Sequence, residues 1–376
     1  MKSPASITRQ QKRNLGKLFA EGNNFLKNIE PSDNILLIHH TDVDGYCSGA
    51  IFLGVLKRLN KNLKIDTYAA ANEELENLFK DKTKVKTKNK KIKSYDKIII
   101  LDIDAPYLKK EFEIFRGKIF IIDHHTLRSD LNANNIIYIN PRFENEEAYQ
   151  PVSYIIYKFL SSIKSMVDLK EFEWLAVLGT VSDLGFEDCK DLLGKWVKAN
   201  AVKDLTKTGF WKAGEELYGA IIAGVEKESD VLGLLLESKN LSELKSNPKI
   251  LSAYNRFHRE YEKRKKEFWD NAEYLGGIGN IVISKINSKF KRVGSVLATN
   301  IGLENEDKII ILLERRGKFF KVHSRAQSGR AHLGLIMEKC CFEGGGGHRR
   351  AAGGTIKTKD FKKFKDCVVK EIGKST

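Results

Sequence analysis

Histidines and aspartates recur in this sequence where short apolar runs end. The first group is His40-Thr41-Asp42-Val43-Asp44-Gly45, which follows an apolar run at residues 35–38 and His39. Imidazole nitrogen and carboxylate oxygen together suit a hard or borderline divalent cation such as Mg, Mn or Zn. Alone, this stretch reads equally well as a polar turn with an acidic helix cap. The pattern repeats, however. Residues 98–101 are apolar and lead into Asp102-Ile103-Asp104, and residues 119–122 lead into Asp123-His124-His125. A helical pattern at 172–179 runs into Thr180-Val181-Ser182-Asp183. Of eight histidines, His39, His40, His124 and His125 fall at these positions, so the concentration of ligand chemistry is not an effect of abundance. Clustered carboxylates repel one another unless a cation relieves them. The donors outnumber what one ion with open positions needs, which points to a two-metal site.

Positioning these groups requires strands whose ends converge. Runs at 35–38, 98–101 and 119–122, with a further strand at 63–70, alternate with helical patterns at 8–28, 47–59, 151–160 and 172–179. This predicts an α/β fold with a doubly wound parallel sheet over residues 1–190. In such a sheet, ligands sit outside the carboxyl ends of the strands, where the His and Asp groups lie. Between Asp102 and Asp104 the choice rests on strand register, which sequence leaves open. His39 is expected to point away from the site as a hydrogen-bonded histidine near the core. Residues 191–278 read as a helical spacer. They close on a long helix with Tyr254, Phe257, Tyr261 and Phe268 on one face and Arg256, Arg259, Lys263, Arg264, Lys265 and Lys266 on the other. Residues 279–376 read as a smaller α/β domain, with strands at 281–286, 309–313 and 319–323 and a helix at 331–341.

The chain has 376 residues, 41% hydrophobic and 30% charged, with a net charge of +16. No apolar run approaches the roughly 20 residues that span a bilayer, and the start lacks the apolar stretch of a signal peptide. A cytoplasmic protein without a membrane partner is expected. Five scattered cysteines without a C-x-x-C pair predict free thiols rather than a disulfide framework or a zinc ribbon. The excess of Lys and Arg favours a polyanionic partner through counterion release. A lysine run at 80–97 reads first as a solvated loop.

In order and spacing, His40-x-Asp42-x-Asp44-Gly45, Asp102, Asp123-His124-His125 and Gly179-Thr180-Val181-Ser182-Asp183 resemble the four motifs of the DHH phosphoesterases. This superfamily includes RecJ-type exonucleases, nanoRNA and pAp phosphatases and cyclic-dinucleotide phosphodiesterases. Gly344-Gly345-Gly346-Gly347-His348, followed by Ala351-Ala352-Gly353, is similar to the GGGH signature of the DHH-associated substrate-binding domain. Arg325 resembles the arginine of that domain's S-x-R-S motif, although His323 and Ala326 stand where it has serines. The likeness covers residues 34–183 and 281–355. It implies one metal on His40 and Asp42, another on Asp44, His124 and Asp183, and Asp102 bridging them. It also implies catalytic roles for His125, on the scissile phosphate, and for Asp123, orienting its neighbours. The implied ions are two Mn2+, with Mg2+ as the alternative.

The glycine box carries its own expectation. Gly345, Gly346 and Gly347, lacking Cβ atoms, would leave backbone N–H groups open to an anion. Arg325 would grip phosphate and His348 would add to substrate binding. Ser153 is expected either to cap the helix that follows it or to touch a substrate phosphate. The whole reads as a bilobal, RecJ-like exonuclease degrading single-stranded DNA or RNA to 5′-mononucleotides. The alternatives are a nanoRNase or pAp phosphatase acting on short oligonucleotides, and a non-catalytic scaffold of a replication complex. A replication or repair protein partner and a homo-oligomer are compatible with the same reading.

Overall fold

The structure is a computed structural model, and it describes residues 13–80, 91–163, 168–197, 205–225, 228–275 and 280–374. The chain divides into two compact units, one ending at Leu251 and one beginning at Ser252.

The first unit opens with α1 (Leu15–Lys27) and β1 (Asn34–His39), then α2 (Val43–Leu59), β2 (Lys64–Ala69) and α3 (Asn72–Phe79). It continues through β3 (Lys97–Leu101), α4 (Lys109–Glu113), β4 (Lys118–Ile122) and β5 (Ile136–Ile139). Helices follow: α5 (Val152–Ser161), α6 (Glu173–Ser182), α7 (Lys190–Trp196), α8 (Gly209–Ile222), α9 (Glu228–Glu237) and α10 (Leu241–Ser246). Among the described residues the strands form one sheet in the order β2-β1-β3-β4-β5, all parallel. Residues 35–38, 98–101 and 119–122 are completely buried. Such unbroken apolar runs are what a parallel sheet covered on both faces requires. The expected α/β class and doubly wound sheet are therefore present. The order reverses between β1 and β3, so the crevice at the strand ends opens there. β5 was not expected; it is only four residues long, too short for periodicity to expose.

α11 (Pro248–Asp270) carries the chain into the second unit. There follow β6 (Glu273–Leu275), β7 (Ile281–Ile286), α12 (Val293–Glu304), β8 (Ile309–Arg316) and β9 (Phe319–Arg325). α13 (Leu333–Cys340), β10 (Gly345–Gly347), β11 (Ala351–Lys357) and α14 (Phe361–Gly373) complete it. The sheet is mixed, in the order β10-β11-β9-β8-β7-β6. Its core joins Ile283, Ile311 and Val322 to Met337 of α13 and Phe364 of α14.

Several expectations are corrected. Cys340 and Cys367 form a disulfide between α13 and α14, while Cys47, Cys189 and Cys341 are free and buried. The two bridged residues lie 27 apart and meet only because their helices pack on one sheet face, which no local spacing announces. Lys97, counted with the solvated lysine run, starts β3 and is buried in an ion pair with Asp33. Residues 81–90 of that run lie outside the described residues. Arg264 does not belong to the exposed basic face of α11: it is buried, and its Nε donates to Glu260 at 3.0 Å. Lys265 pairs with Glu304 and Lys266 with Asp270. Arg256, Arg259 and Lys263 remain exposed, with no ion pair to a described residue. No helix among the described residues is long and apolar enough to cross a membrane.

Candidate metal centre

The site is built by three strand ends arranged as a staircase. The residue after each strand donates its backbone N–H to the last carbonyl of the neighbouring strand. His40 N donates to Leu101 O at 3.1 Å, Asp102 N to Ile122 O at 2.9 Å, and Asp123 N to Ile139 O at 3.0 Å. His40, Asp102 and the Asp123–His125 run are thus held side by side at the switch point. Asp102 adopts a left-handed backbone, φ 65°, directly after β3. Aspartate tolerates this conformation better than most residues. Asp102 is 2% exposed among the histidines, whereas Asp104 pairs with Arg128 at 3.3 Å.

Two donor groups share this carboxylate. Ligand atoms of His40, Asp42 and Asp102 lie within 4.8 Å of one another, and so do those of Asp102, His124 and His125. His40 Nδ1 is 2.6 Å from Asp42 Oδ2 and 3.9 Å from Asp102 Oδ2. His124 Nε2 is 3.3 Å from Asp102 Oδ1 and 3.6 Å from Asp183 Oδ2. Asp183 arrives from the end of α6, as expected.

Asp44 lies in the first turn of α2, with both oxygens directed at the N-terminus of α5. Val152 N donates to Oδ2 at 2.7 Å and Ser153 N to Oδ1 at 3.0 Å. A helix N-terminus is a natural carboxylate site, and each oxygen keeps a lone pair beyond the one the amide uses. Gly179 in α6 makes this approach possible. A Cβ there would lie 2.7 Å from Asp44 Oδ1 and collide with the Ser153 hydroxyl. Ser153 itself corrects an expectation. It is fully buried, and its hydroxyl donates to Ala176 O at 3.3 Å, so its side chain does not cap α5.

The electrostatics test whether cations suit these residues. Burial, reinforced by repulsion from Asp183, pushes Asp44 up to about 7. Burial and the charge of Asp42 do the same to Asp183, also to about 7, and Asp102 is driven well above the usual range by burial and its acidic neighbours. Without a counter-charge these carboxyls do not all ionise. Burial, followed by repulsion from His125, lowers His124 to about 4, so its imidazole is neutral. Its Nδ1 has no hydrogen-bond partner among the described residues. Neutral imidazole facing crowded carboxylates is a donor set that divalent cations complete. His125 behaves differently. Burial opposes its charge, but Asp123, 2.7 Å from its Nδ1, outweighs burial and raises it to about 9. Burial would raise Asp123 too, yet the His125 cation holds it at about 2. His39 points away, its Nδ1 2.7 Å from His40 O and its ring against Tyr46.

Residues outside the expected set support these groups. Arg142 Nε donates to His124 O at 2.9 Å and Asn140 Nδ2 to His125 O at 3.0 Å. Tyr138 OH donates to Asp123 Oδ2 at 3.2 Å. The Asn140-Pro141 turn is the one feature here with a sequence signal.

In the second unit, a groove of about 440 Å3 is lined by Ser295, Lys321, His323, Arg325, Gly346 and Gly353, among others. Arg325 Nε donates to Thr299 Oγ1 at 3.1 Å and its NH1 to Ser324 O at 2.9 Å. His348 is exposed, and its backbone N donates to Ala351 O at 2.8 Å. The glycine box is part of the sheet. Gly345–Gly347 form β10, paired antiparallel with β11. A Cβ at Gly345 would lie 2.7 Å from Cys341 Cβ, and one at Gly347 would lie 2.6 Å from Ala352 Cα. Packing therefore demands these two glycines. A Cβ on Gly346 would meet nothing, so its bareness is available to a ligand.

Residues 34–180 match the family model described as the DHH family, N-terminal domain, and residues 279–374 match the DHHA1 domain. No curated protein matches the sequence. Among solved structures, RecJ of Thermus thermophilus in complex with Mn2+ is similar, with a TM-score of 0.68 and 15% identity over 99% of this chain. This chain spans 56% of that protein's length. The Mg2+ complex of RecJ from the same organism gives a TM-score of 0.59 at 14% identity, covering 99% of this chain and 54% of that one. CDC45 from Entamoeba histolytica gives 0.60 at 11% identity, covering 95% of this chain and 99% of that one. A pGpG-specific phosphodiesterase, PggH, from Vibrio gives 0.52 at 15% identity, covering 91% and 100%. At these identities the likeness is one of fold.

Proposed function

This chain is a member of the DHH phosphoesterase superfamily, and on that premise we propose that it is a RecJ-like exonuclease using two divalent cations. Mn2+ is the first choice and Mg2+ the alternative. The substrate is single-stranded DNA or RNA, and the products are nucleoside 5′-monophosphates. The observation that carries this reading is Asp102, whose carboxylate lies with His40 and Asp42 on one side and 3.3 Å from His124 on the other.

His40 and Asp42 would hold one cation, and Asp44, His124 and Asp183 the other, with Asp102 between them. Cations bound there would supply an activated water and offset the charge that builds on the phosphoryl oxygens. The chain's own residues do the rest. Asp123 occupies His125 Nδ1, which would leave an Nε2–H to donate to a non-bridging phosphoryl oxygen. The N-terminus of α5 holds Asp44 from behind. Arg325 and the open face at Gly346 would receive the nucleotide in the groove of the second unit. A polymeric substrate is favoured by the net charge of +16 and by the exposed cations Arg256, Arg259 and Lys263. A replication or repair protein is the partner class that such a nuclease would serve.

The test is a length series of 5′- and 3′-labelled single strands, with dinucleotides and pAp, assayed with Mn2+ at low and high salt. Long strands are expected to be degraded to mononucleotides, with a rate that falls steeply as salt rises. Asp44→Ala and Asp123→Ala should abolish turnover. A marked preference for dinucleotides with little salt dependence would overturn the polymer reading in favour of short oligonucleotides. Identical behaviour of wild type and variants would leave the scaffold reading standing.

A further inference from the structure

One short segment touches three of the residues to which the metal reading assigns ligand roles. Residues 149–153 run from a loop into α5, and none of the four motifs includes them. Val152 and Ser153 hold Asp44 through their backbone amides. Tyr149, at the start of the segment, reaches the other two. Its hydroxyl is 2.9 Å from Asp183 Oδ2 and 3.0 Å from Asp183 O, and its ring lies against His124 with centroids 5.4 Å apart. The Tyr149 backbone is fixed in turn, its N–H donating to Asp188 Oδ2 at 2.8 Å. At 40% exposure, Tyr149 is a large aromatic side chain at the lip of the site rather than a core residue.

The geometry of a hydroxyl on a carboxylate and a ring on an imidazole is what orients metal ligands from outside. Asp183 Oδ2 lies within reach of both Tyr149 and His124 Nε2. Turning Asp183 away would break the phenol contact and the approach to His124 together. We propose that Tyr149 is a positioning residue for one of the two cations: it sets the carboxylate of Asp183 and the ring plane of His124, while the His40–Asp42 side is built without it. The inference rests on the two-cation reading above and adds to it an asymmetry between the sites, one of them depending on a residue outside the four motifs.

The experiment is a calorimetric Mn2+ titration of the full chain, repeated by electron paramagnetic resonance of free Mn2+. Both compare wild type with Tyr149→Phe and Tyr149→Leu. Wild type is expected to bind two equivalents. Tyr149→Phe, which removes only the hydroxyl, should weaken one of them by about 10- to 100-fold and leave the other within a few-fold. Tyr149→Leu, which removes the ring as well, should weaken the same equivalent further. The unaffected equivalent reports in the same trace that the fold is intact. Two wild-type affinities in Tyr149→Phe, or an equal loss at both, would overturn the inference. A wild-type chain without saturable Mn2+ sites would overturn the metal reading itself.

Discussion

Replacing Gly179 with alanine sets two opposing effects against each other, and the structure says which wins. In an ordinary helix interior the change stabilises by up to about 1 kcal/mol, since alanine loses less backbone entropy. Here the new Cβ would fall 2.7 Å from Asp44 Oδ1 and 2.8 Å from Ser153 Cβ, against side chains that are themselves buried. Overpacking of that kind costs about 1–3 kcal/mol. Displacing Asp44 also weakens its two hydrogen bonds to the N-terminus of α5, each worth about 0.5–1.5 kcal/mol. The net expectation is a loss of about 1–4 kcal/mol, measured by urea unfolding in chelator. Mn2+ affinity should fall at least tenfold in a parallel titration, because Asp44 is moved. Gly194→Ala in α7 is the control, since a Cβ there meets nothing within 4 Å, and it should stabilise slightly. A Gly179→Ala protein as stable as that control, with wild-type Mn2+ binding, would refute the packing argument.

Two further outcomes follow from the charges and the groove. In chelator, stability should fall as pH rises from about 6.5 to 9. His125, raised to about 9 against an unfolded value near 6.5, contributes fully below 6.5 and loses its contribution through 9. The protons that burial keeps on Asp44 and Asp183 up to about 7 act in the same direction, because the unfolded chain has already released them. Mn2+ should reverse the trend and bind more tightly as pH passes 7, since it displaces those protons. Calorimetry at pH 6.5, 7.5 and 9 with and without Mn2+ checks both signs, and a chelated protein that gains stability over this range would contradict them. Arg325→Ala and His348→Ala should raise KM for strands about tenfold or more while leaving both Mn2+ equivalents in place. Loss of metal from either variant would contradict the separation of metal and substrate roles between the two units.

How much of this was legible in the sequence depended on the range of the interaction. The parallel sheet was legible because its strands are buried on both faces and so read as unbroken Ile and Leu runs. Lys97 defeats the same logic. It belongs to β3, yet it follows a lysine run and is buried only because Asp33, 64 residues earlier, neutralises it. Arg264 fails likewise, since helical periodicity alone does not reveal a buried partner at Glu260. The glycine box is recognisable as a motif, but its place in the sheet is set by packing between elements that the sequence does not show adjacent. Gly345 and Gly347 are bare because α13 and β11 pack against them, whereas a Cβ on Gly344 or Gly346, which also line the groove, would meet nothing. The disulfide depends on two helices meeting across 27 residues of chain.

The ligand candidates were legible for a reason of their own. A parallel sheet places every strand end on one edge, so residues that are remote in sequence and follow successive strands must converge there. The staircase of amides at His40, Asp102 and Asp123 is that rule at atomic scale. What the rule does not specify is which residue at a strand end turns inward. Asp102 and Asp104 have the same composition and nearly the same position. In the structure Asp102 takes a left-handed turn and lies 3.3 Å from His124, while Asp104 pairs with Arg128. The outer layer is further from reach, because Tyr149, Asn140 and Arg142 come from short segments between the main elements, with no period to betray them. The candidate ligands are therefore announced by the strands and helices that they follow, and the groups that orient them lie in the segments between. A variant that keeps all the motif residues but loses the contact at Tyr149 separates the two.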